Sequence, residues 1–194
     1  MAIEYELKYM ATGELLSLLR QALPGEEHRI SMESTYYDTP DRILAAKHFT
    51  LRHRLENDRH ICTLKTPSNG AGRGEWELEE AFMDAAFPVL CKLADVALPA
   101  SAKAASLIPV CGAKFIRIAK TLNFGDSVLE IALDEGILTG GENACPLCEI
   151  EIELKSGCTA DADAFAAQLA ATFSLQPQPL SKYRRALALS TGEY

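Results

Sequence analysis

The stretch Glu149-Ile150-Glu151-Ile152-Glu153-Leu154 alternates glutamate with an aliphatic residue over its whole length. Alternation with a period of two is typical of a β-strand that has one charged face and one apolar face. The stretch Ile3-Glu4-Tyr5-Glu6-Leu7-Lys8 repeats this pattern near the start of the chain. Both stretches therefore predict strands that present a row of charges on one face.

The segments between these two stretches predict further strands together with helices. Strands are predicted at residues 30–37, 48–56, 60–66, 75–82, 112–122, 127–135 and 147–155. Helices are predicted after the cap Thr12, at residues 84–98 with Asp84 as the cap and Pro88 in the first turn, at residues 100–107, after the cap Thr159, and at residues 182–189 after the cap Ser181. Because short turns join most of the strands, antiparallel pairing is favoured over a parallel sheet.

The charges on the predicted strands cluster and separate by sign. Bases come mainly from residues 48–56 and 60–66, whereas acids come from the first strand, from residues 75–82 and from the last two strands. One interpretation is the solvated face of an open antiparallel sheet. The other is an α+β fold in which a closed eight-stranded antiparallel β-barrel turns its charges inward and packs its helices outside. In that case the acids suit Mg²⁺ or Mn²⁺, and the bases suit a polyphosphate.

Length and composition limit the class of protein. The chain has 194 residues, and its 27 acidic and 19 basic side chains give a net charge of −8. This length indicates one domain over residues 1–194. The acidic balance argues against nucleic acid and membrane surfaces as partners, and we expect a monomer or homodimer. Because the sequence has no signal-peptide pattern and its six cysteines are scattered, we expect a cytoplasmic protein with reduced thiols.

An ordered set of motifs along the chain resembles the CYTH family, the triphosphate tunnel metalloenzymes. The motifs are Glu4-x-Glu6-x-Lys8, Thr35-Tyr36-Tyr37-Asp38-Thr39-Pro40, Leu51-Arg52-His53-Arg54, Thr63-Leu64-Lys65, Glu75-x-Glu77, Glu130-Ile131-Ala132-Leu133-Asp134, Glu149-Ile150-Glu151 and Leu180-Ser181-Lys182. The first motif is weak alone, whereas the whole set spans residues 3–189 and is specific. Within the family, the chain is most similar to the bacterial inorganic triphosphatase branch.

The resemblance implies an eight-stranded antiparallel β tunnel and a role for each charged residue in it. The implied ligands of Mg²⁺ or Mn²⁺ are Glu4, Glu6, Glu130, Asp134, Glu149 and Glu151. Of these, Glu130 and Asp134 would bind a second ion or orient the attacking water. The implied triphosphate ligands are Lys8, Arg52, Arg54, Lys65, Arg117 and Lys182, with Glu75 and Glu77 balancing the bases. The implied catalytic residues are Glu6, Lys8 and Tyr36.

The function that the resemblance implies is metal-dependent hydrolysis of triphosphates, with inorganic tripolyphosphate giving pyrophosphate and phosphate. Three alternatives stay open. The first is a class IV type adenylate cyclase that converts ATP to cyclic AMP, and the second is a thiamine or nucleoside triphosphatase. The third is a module that binds polyphosphate without catalysis, and the many carboxylates argue against it.

Some residues are assigned to structural or solvated positions. Tyr36 is predicted to face the tunnel and Tyr37 to pack outside it, because neighbours on a strand point to opposite faces. His53 is predicted to point outward for the same reason. Solvated positions are assigned to Glu79, Lys155, Arg184 and Arg185. Which of Lys182, Arg184 and Arg185 reaches the tunnel stays open.

Overall fold

The computed structural model describes residues 2–3, 5–67, 73–98, 102 and 107–192. Glu4 and almost all of the helix predicted at residues 100–107 lie outside these described residues. The strands are β1 (Ala2–Ile3), β2 (Glu6–Met10), β3 (Glu27–Asp38), β4 (Thr50–Glu56), β5 (Arg59–Pro67), β6 (Arg73–Glu79), β7 (Ile108–Phe124), β8 (Ser127–Gly140), β9 (Asn143–Ser156) and β10 (Gln176–Pro177). The helices are α1 (Gly13–Ala22), α2 (Ile43–Ala46), α3 (Met83–Leu93), α4 (Thr159–Phe173) and α5 (Lys182–Thr191).

The strands form one antiparallel sheet, which confirms the predicted α+β class. Their hydrogen-bonded order is β1–β6–β5–β4–β3–β7–β8–β9–β2–β10. β1 pairs with β6 at one end of this order, and β2 pairs with β9 near the other end. The order is therefore open, and a closed eight-stranded barrel is not confirmed. The reason is that the predicted first strand is split into β1 and β2, and that β10 adds a further edge beside β2.

The register of β2, β8 and β9 brings acidic residues of distant segments next to one another. Glu153 of β9 pairs with Glu6 of β2 on one side and with Glu130 of β8 on the other. Four residues earlier on β9, Glu149 pairs with Asp134 of β8. Residues directly opposite each other share a face of the sheet, so these carboxylates all lie on one face.

Helix α1 begins directly after the cap that the sequence predicts. Thr12 is the N-cap, and its hydroxyl accepts a hydrogen bond from the backbone N–H of Leu15. At the other end, the buried ammonium of Lys120 donates to the carbonyl oxygens of Arg20 and Leu23, at 2.6 and 2.8 Å. These bonds satisfy carbonyl groups that a helix end leaves without a partner, and they join α1 to β7.

The predicted starts of α3 and α4 were wrong by one or two residues. Helix α3 begins at Met83 after the N-cap Phe82, so Asp84 lies in the first turn and Pro88 lies further inside the helix. Helix α4 begins at its predicted cap, and Cys158 takes the N-cap position. Neither N-cap side chain accepts a hydrogen bond from its helix. Tertiary packing, such as the burial of Met83, therefore sets the start of α3 in place of capping chemistry.

Helices cover the apolar face of the sheet in two of its three hydrophobic clusters. Helices α1 and α4 cover the cluster that contains Leu16 and Ile150, and α3 covers the cluster that contains Leu64 and Phe87. Helix α5 packs instead on the charged face, over the third cluster around Leu138, because Leu138 and Asp134 lie four residues apart on β8 and so share a face. The charged residues therefore lie opposite α1, α3 and α4, and the prediction that the helices pack outside is wrong for α5. In the described part of the chain, no helix combines the length and the apolar character needed to cross a membrane.

Candidate active site

The charged faces of the strands surround a cavity of about 850 Å³. Among the described residues, seven acids and seven bases line this cavity. The acids are Glu6, Glu56, Glu75, Glu77, Glu130, Glu151 and Glu153. The bases are Lys8, Arg52, Arg54, Lys65, Arg117, Lys155 and Lys182. The charged face is thus a concave surface, which favours the interpretation of inward-facing charges over that of an ordinary solvated face.

Three bases of β4 and β5 form one side of the cavity, which we call the basic wall (Arg52, Arg54 and Lys65). Their nearest carboxylates lie on β4 and β6: Glu56 Oε2 is 2.9 Å from Arg54 Nη2, and Glu75 Oε1 is 3.1 Å from Lys65 Nζ. The buried Nε atoms of Arg52 and Arg54 have no hydrogen-bond partner among the described residues. Burial, together with the neighbouring Arg52, lowers the pKa of Arg54. Each arginine of the basic wall therefore keeps one donor without an acceptor among the described residues, as expected of a surface that binds an anion.

A second cluster lies deeper and consists of the carboxylates that we call the triad (Asp134, Glu149 and Glu151). Asp134 and Glu149 are fully buried. One oxygen of each member lies within 4.8 Å of one oxygen of the others. Arg117 donates two hydrogen bonds to Asp134, at 2.8 and 2.7 Å, and a further one to Glu151. The triad thus comes from the neighbouring strands β8 and β9. Arg117 of β7 forms ion pairs with two of its three carboxylates, Asp134 and Glu151.

Helix α5 supplies the other two cations of the triad. Ser181 is its N-cap, as predicted, and Lys182 follows at the first helical position. The ammonium of Lys182 lies 2.8 Å from Asp134, 2.6 Å from Glu149 and 2.7 Å from Glu151. One turn later, the guanidinium of Arg185 forms a close ion pair with Glu149. Helical spacing therefore aims two bases of one helix at the same carboxylates.

The charges of the triad and its partners shift each other's pKa values. Burial raises the pKa of Glu149, and the nearby positive charge of Lys182 offsets only part of that effect. Burial also acts to raise the pKa of Glu151, but Lys182 and Arg117 outweigh it and hold the pKa well below its usual range. For Lys182 the balance is reversed: burial acts to lower its pKa, and the three carboxylates raise it above its usual value. Lys182 therefore carries a full positive charge at neutral pH.

A third cluster lies where β2, β9 and β8 run side by side, and we call it the carboxylate row (Glu6, Glu153 and Glu130). Lys8 Nζ is 2.9 Å from Glu6 Oε1. Lys155 Nζ is 3.0 Å from Glu153 Oε1 and 3.7 Å from Glu130 Oε1. Lys155 was interpreted as a solvated strand end, and it is exposed near the end of β9, but its side chain also lines the cavity. Lys8 and Lys155 thus form ion pairs with the three carboxylates of this row.

The donor chemistry of the row and the triad suits a divalent cation. Both groups offer only carboxylate oxygens, which Mg²⁺ and Mn²⁺ prefer. The acidic residues predicted as metal ligands are therefore divided between two places. Glu6 and Glu130 belong to the row, while Asp134, Glu149 and Glu151 form the triad.

All of the residues predicted for triphosphate binding and catalysis line the cavity. These are Glu6, Lys8, Tyr36, Arg52, Arg54, Lys65, Glu75, Glu77, Arg117 and Lys182. Burial raises the pKa of Tyr36, whose ring lies 5.1 Å from that of Tyr183, so its hydroxyl stays protonated at neutral pH. Tyr37 packs instead in the cluster under α3. His53 points away from the cavity and lies 3.0 Å from His60.

Three charged residues near the cavity were missed, and each carried a usable signal. Glu56 and Lys155 continue the period-two alternation of Arg52-x-Arg54 and Glu151-x-Glu153 by one step. Arg185 was assigned to the surface, although it lies three residues after Lys182 and so on the same helix face. The structure also distinguishes the three bases near the end of the chain. Lys182 and Arg185 contact the triad, whereas Arg184 is exposed.

Comparison with known proteins gives a family and a shared fold. The family model described as the CYTH domain matches residues 2–187. An inorganic triphosphatase from Haemophilus influenzae is 29% identical over 98% of this chain and 56% of its own length. The chain thus spans about half the length of this curated relative.

Two solved structures share the fold at low sequence identity. A candidate adenylyl cyclase from Hippeastrum, described as having a dominant triphosphatase activity, matches with a TM-score of 0.68 and 17% identity over 98% of this chain and 96% of that one. A candidate adenylate cyclase from Bacillus halodurans matches with a TM-score of 0.61 and 20% identity, over 92% of this chain and 94% of that one. The similarity therefore extends over nearly the whole sheet and its helices.

Proposed function

This chain belongs to the CYTH domain family, and from that premise we propose that it is a metal-dependent triphosphatase. The proposed reaction is hydrolysis of inorganic tripolyphosphate to pyrophosphate and phosphate. The observation that carries this proposal is the basic wall, in which the buried Nε atoms of Arg52 and Arg54 have no partner among the described residues. A small anion with many oxygens would satisfy them. The inorganic triphosphatase of Haemophilus influenzae supports the choice of substrate.

The bases of the cavity bind and orient the substrate in this proposal. Arginine suits this task because its planar guanidinium donates paired hydrogen bonds to phosphate oxygens. The substrate ligands are Lys8, Arg52, Arg54, Lys65, Arg117 and Lys182. Glu75 and Glu77 lie next to the basic wall and limit the repulsion between its bases while the cavity is free of substrate. Phosphoryl transfer depends mostly on such positioning and charge stabilisation.

The carboxylates hold the divalent cation in this proposal, with Mg²⁺ or Mn²⁺ as the ion. Glu4 and Glu6 of the opening strand are assigned as ligands together with Glu130, Asp134, Glu149 and Glu151. A bound divalent cation would neutralise phosphate charge and polarise a phosphoryl oxygen. The all-oxygen donor set supports a hard cation over zinc or copper.

Activation of the attacking water is assigned to the first strand. Glu6 accepts the proton of the water at a carboxylate oxygen, and Lys8, which lies 2.9 Å from Glu6, holds that carboxylate in place. Tyr36 donates its hydroxyl proton in a hydrogen bond to a phosphate oxygen, in keeping with its raised pKa. These roles follow the residue types and their common position on the cavity wall.

The proposal also includes the finer description of the fold. The first two strands lie toward opposite ends of the sheet order, because β1 pairs with β6 and β2 pairs with β9. This arrangement supports a sheet that wraps around the cavity as an eight-stranded tunnel. We further assign residues 1–194 to a single CYTH domain, as a monomer or homodimer. The free cysteines among the described residues are compatible with the cytoplasm.

A second candidate function, action on an organic triphosphate, is favoured by the apolar part of the cavity. Ile30, Met32 and Phe115 line the cavity alongside the charged residues. A volume of about 850 Å³ is within the range of pockets that hold drug-sized ligands. A nucleoside or thiamine triphosphate would place its organic group there, and an adenylate cyclase would do so with ATP.

Product analysis distinguishes these reactions. The purified protein is incubated with tripolyphosphate, ATP or thiamine triphosphate in Mg²⁺, in Mn²⁺ and in EDTA, and phosphate, pyrophosphate and cyclic AMP are measured. Metal-dependent phosphate release from tripolyphosphate alone would support the first proposal. Release from the organic triphosphates would favour the second candidate, and cyclic AMP would identify a cyclase. Tight tripolyphosphate binding without any product would overturn both hydrolase proposals.

A further inference from the structure

The ammonium of Lys182 occupies the place in the triad where a metal ion would be expected. Its nitrogen lies 2.6 to 2.8 Å from one oxygen of each carboxylate. One oxygen of each carboxylate lies within 4.8 Å of one oxygen of the other two, a spacing that one small cation can satisfy. Among the described residues, Lys182 alone forms ion pairs with all three members of the triad. The triad therefore already holds a cation that belongs to the protein.

The charge balance explains why an internal cation is needed at this depth. Asp134 and Glu149 are fully buried, and uncompensated charges at such positions are very costly. The three carboxylates are matched by three bases, Arg117, Lys182 and Arg185, so the cluster is neutral before any metal binds. A divalent cation entering the triad would add two positive charges to a neutral cluster. Its binding is favourable only if one of the bases leaves.

Lys182 is the base that is able to leave. Arg117 is held by two parallel bonds to Asp134, and Arg185 lies one turn further along α5. Lys182 has a flexible stem at the first position of α5, and Ser181, Lys182 and Tyr183 all line the cavity. Rotation of its side chain therefore transfers the ammonium from the triad into the cavity without movement of the helix.

We propose that Lys182 is an exchangeable resident cation of the triad, which a divalent metal ion displaces. The displaced ammonium turns into the cavity, where the oxygens of a triphosphate accept its hydrogen bonds. This last step rests on the proposed function, whereas the exchange itself does not. Exchange makes metal and triphosphate binding mutually supportive, because the displaced ammonium of Lys182 needs a new acceptor.

Direct metal titration tests the exchange, because loss of a competing ammonium should tighten Mn²⁺ binding and structural damage should not. Mn²⁺ is titrated calorimetrically into the wild-type protein and into K182M, without any phosphate compound. Removal of the competing ammonium should tighten Mn²⁺ binding about tenfold or more, since a buried charge pair is worth that much. Structural damage alone would weaken binding or leave it unchanged. The matched control is R184M, an exposed base on the same helix, whose Mn²⁺ affinity should equal that of the wild type. In K182M/E149Q the gain should be lost, which assigns the ion to the triad.

A second measurement uses the wild-type protein and so does not depend on the folding of K182M. Amine labelling followed by mass spectrometry reports whether Lys182 is accessible, with the exposed Lys47 and Lys92 as internal references. Addition of Mn²⁺ should increase labelling of Lys182 relative to both references. The exchange is overturned if K182M binds Mn²⁺ no more tightly than the wild type, or if Mn²⁺ leaves Lys182 labelling unchanged. A failure of the proposed function appears separately, as no hydrolysis of tripolyphosphate, because neither measurement involves turnover.

Discussion

Arg117 and Asp134 lie opposite each other on β7 and β8, and the guanidinium donates two parallel hydrogen bonds to the carboxylate, at 2.8 and 2.7 Å. Asp134 is fully buried, so its charge depends on Arg117 and Lys182. Burial acts to lower the pKa of Arg117, but Asp134 and Glu151 outweigh it and raise that pKa well above its usual value. The pair therefore stabilises the fold next to the cavity, and Arg117 is also part of the proposed substrate site.

Arg117→Met should strongly destabilise the fold. The substitution leaves the buried carboxylate of Asp134 with one partner fewer, so the free energy of unfolding should fall by about 3 kcal/mol. Urea denaturation followed by circular dichroism measures this change. The control is Arg59→Met, because Arg59 and Glu79 pair on the surface with side chains 62% and 61% exposed. That variant should change the stability by less than about 0.5 kcal/mol. Equal effects of the two variants would contradict the structural role of Arg117.

Arg54→Met should separate binding from stability. Arg54 is half-buried, its Nε has no partner among the described residues, and burial lowers its pKa. The folded state therefore gains little from this charge, and the variant should keep or exceed the wild-type melting temperature. Tripolyphosphate affinity, measured calorimetrically in EDTA, should fall about tenfold or more. Arg54→Lys should restore part of that affinity, because lysine keeps the charge but not the paired hydrogen bonds. A destabilised Met variant with unchanged affinity would argue against an anion site at the basic wall.

Glu6→Gln should remove metal-dependent turnover and preserve the fold. The amide is close in size to the carboxylate but carries no charge, so it is a poor ligand for Mg²⁺ and cannot accept the proton of water. Phosphate release from tripolyphosphate at saturating Mg²⁺ should fall about 100-fold or more. The control is Glu14→Gln on α1, where the side chain is exposed, and its rate should match the wild type. Near-native turnover by Glu6→Gln would show that the carboxylate row is not the reactive part of the cavity.

The alternation of residues 149–154 was sufficient to predict the charged face, because side chains two residues apart on a strand lie on the same face. It did not predict which residues on β8 those glutamates would meet. That register depends on the two-residue turn between Gly140 and Asn143, where Gly141 adopts a left-handed φ of 58°. A pattern within one strand carries no information about such a pairing.

The partners of the triad were even less accessible from the sequence. Lys182 and Arg185 contact Glu149 only because α5 packs against β7, β8 and β9, a tertiary arrangement that is not encoded in their local spacing. The split of the first strand was missed for a similar reason. Ile3 and Glu6 pair with different strands, and nothing in the alternation of residues 3–8 marks the point of change.

His53 and His60 form a hydrogen-bonded pair on β4 and β5, with His53 Nε2 3.0 Å from His60 Nδ1. Burial, with a smaller effect of His60, lowers the pKa of His53 from its ordinary value of 6.5. As the pH falls, the unfolded chain therefore takes up this proton before the folded chain does. The contribution of His53 to stability is complete above about pH 6.5 and decreases as the pH falls from there toward the lower pKa of the folded state. His53→Gln should flatten this part of the profile, measured as the urea-unfolding free energy from about pH 7.5 to about pH 5. His28→Gln, at an exposed position of β3, is the matched control for the loss of one histidine. If the slope persists in His53→Gln, the pH dependence arises from another group.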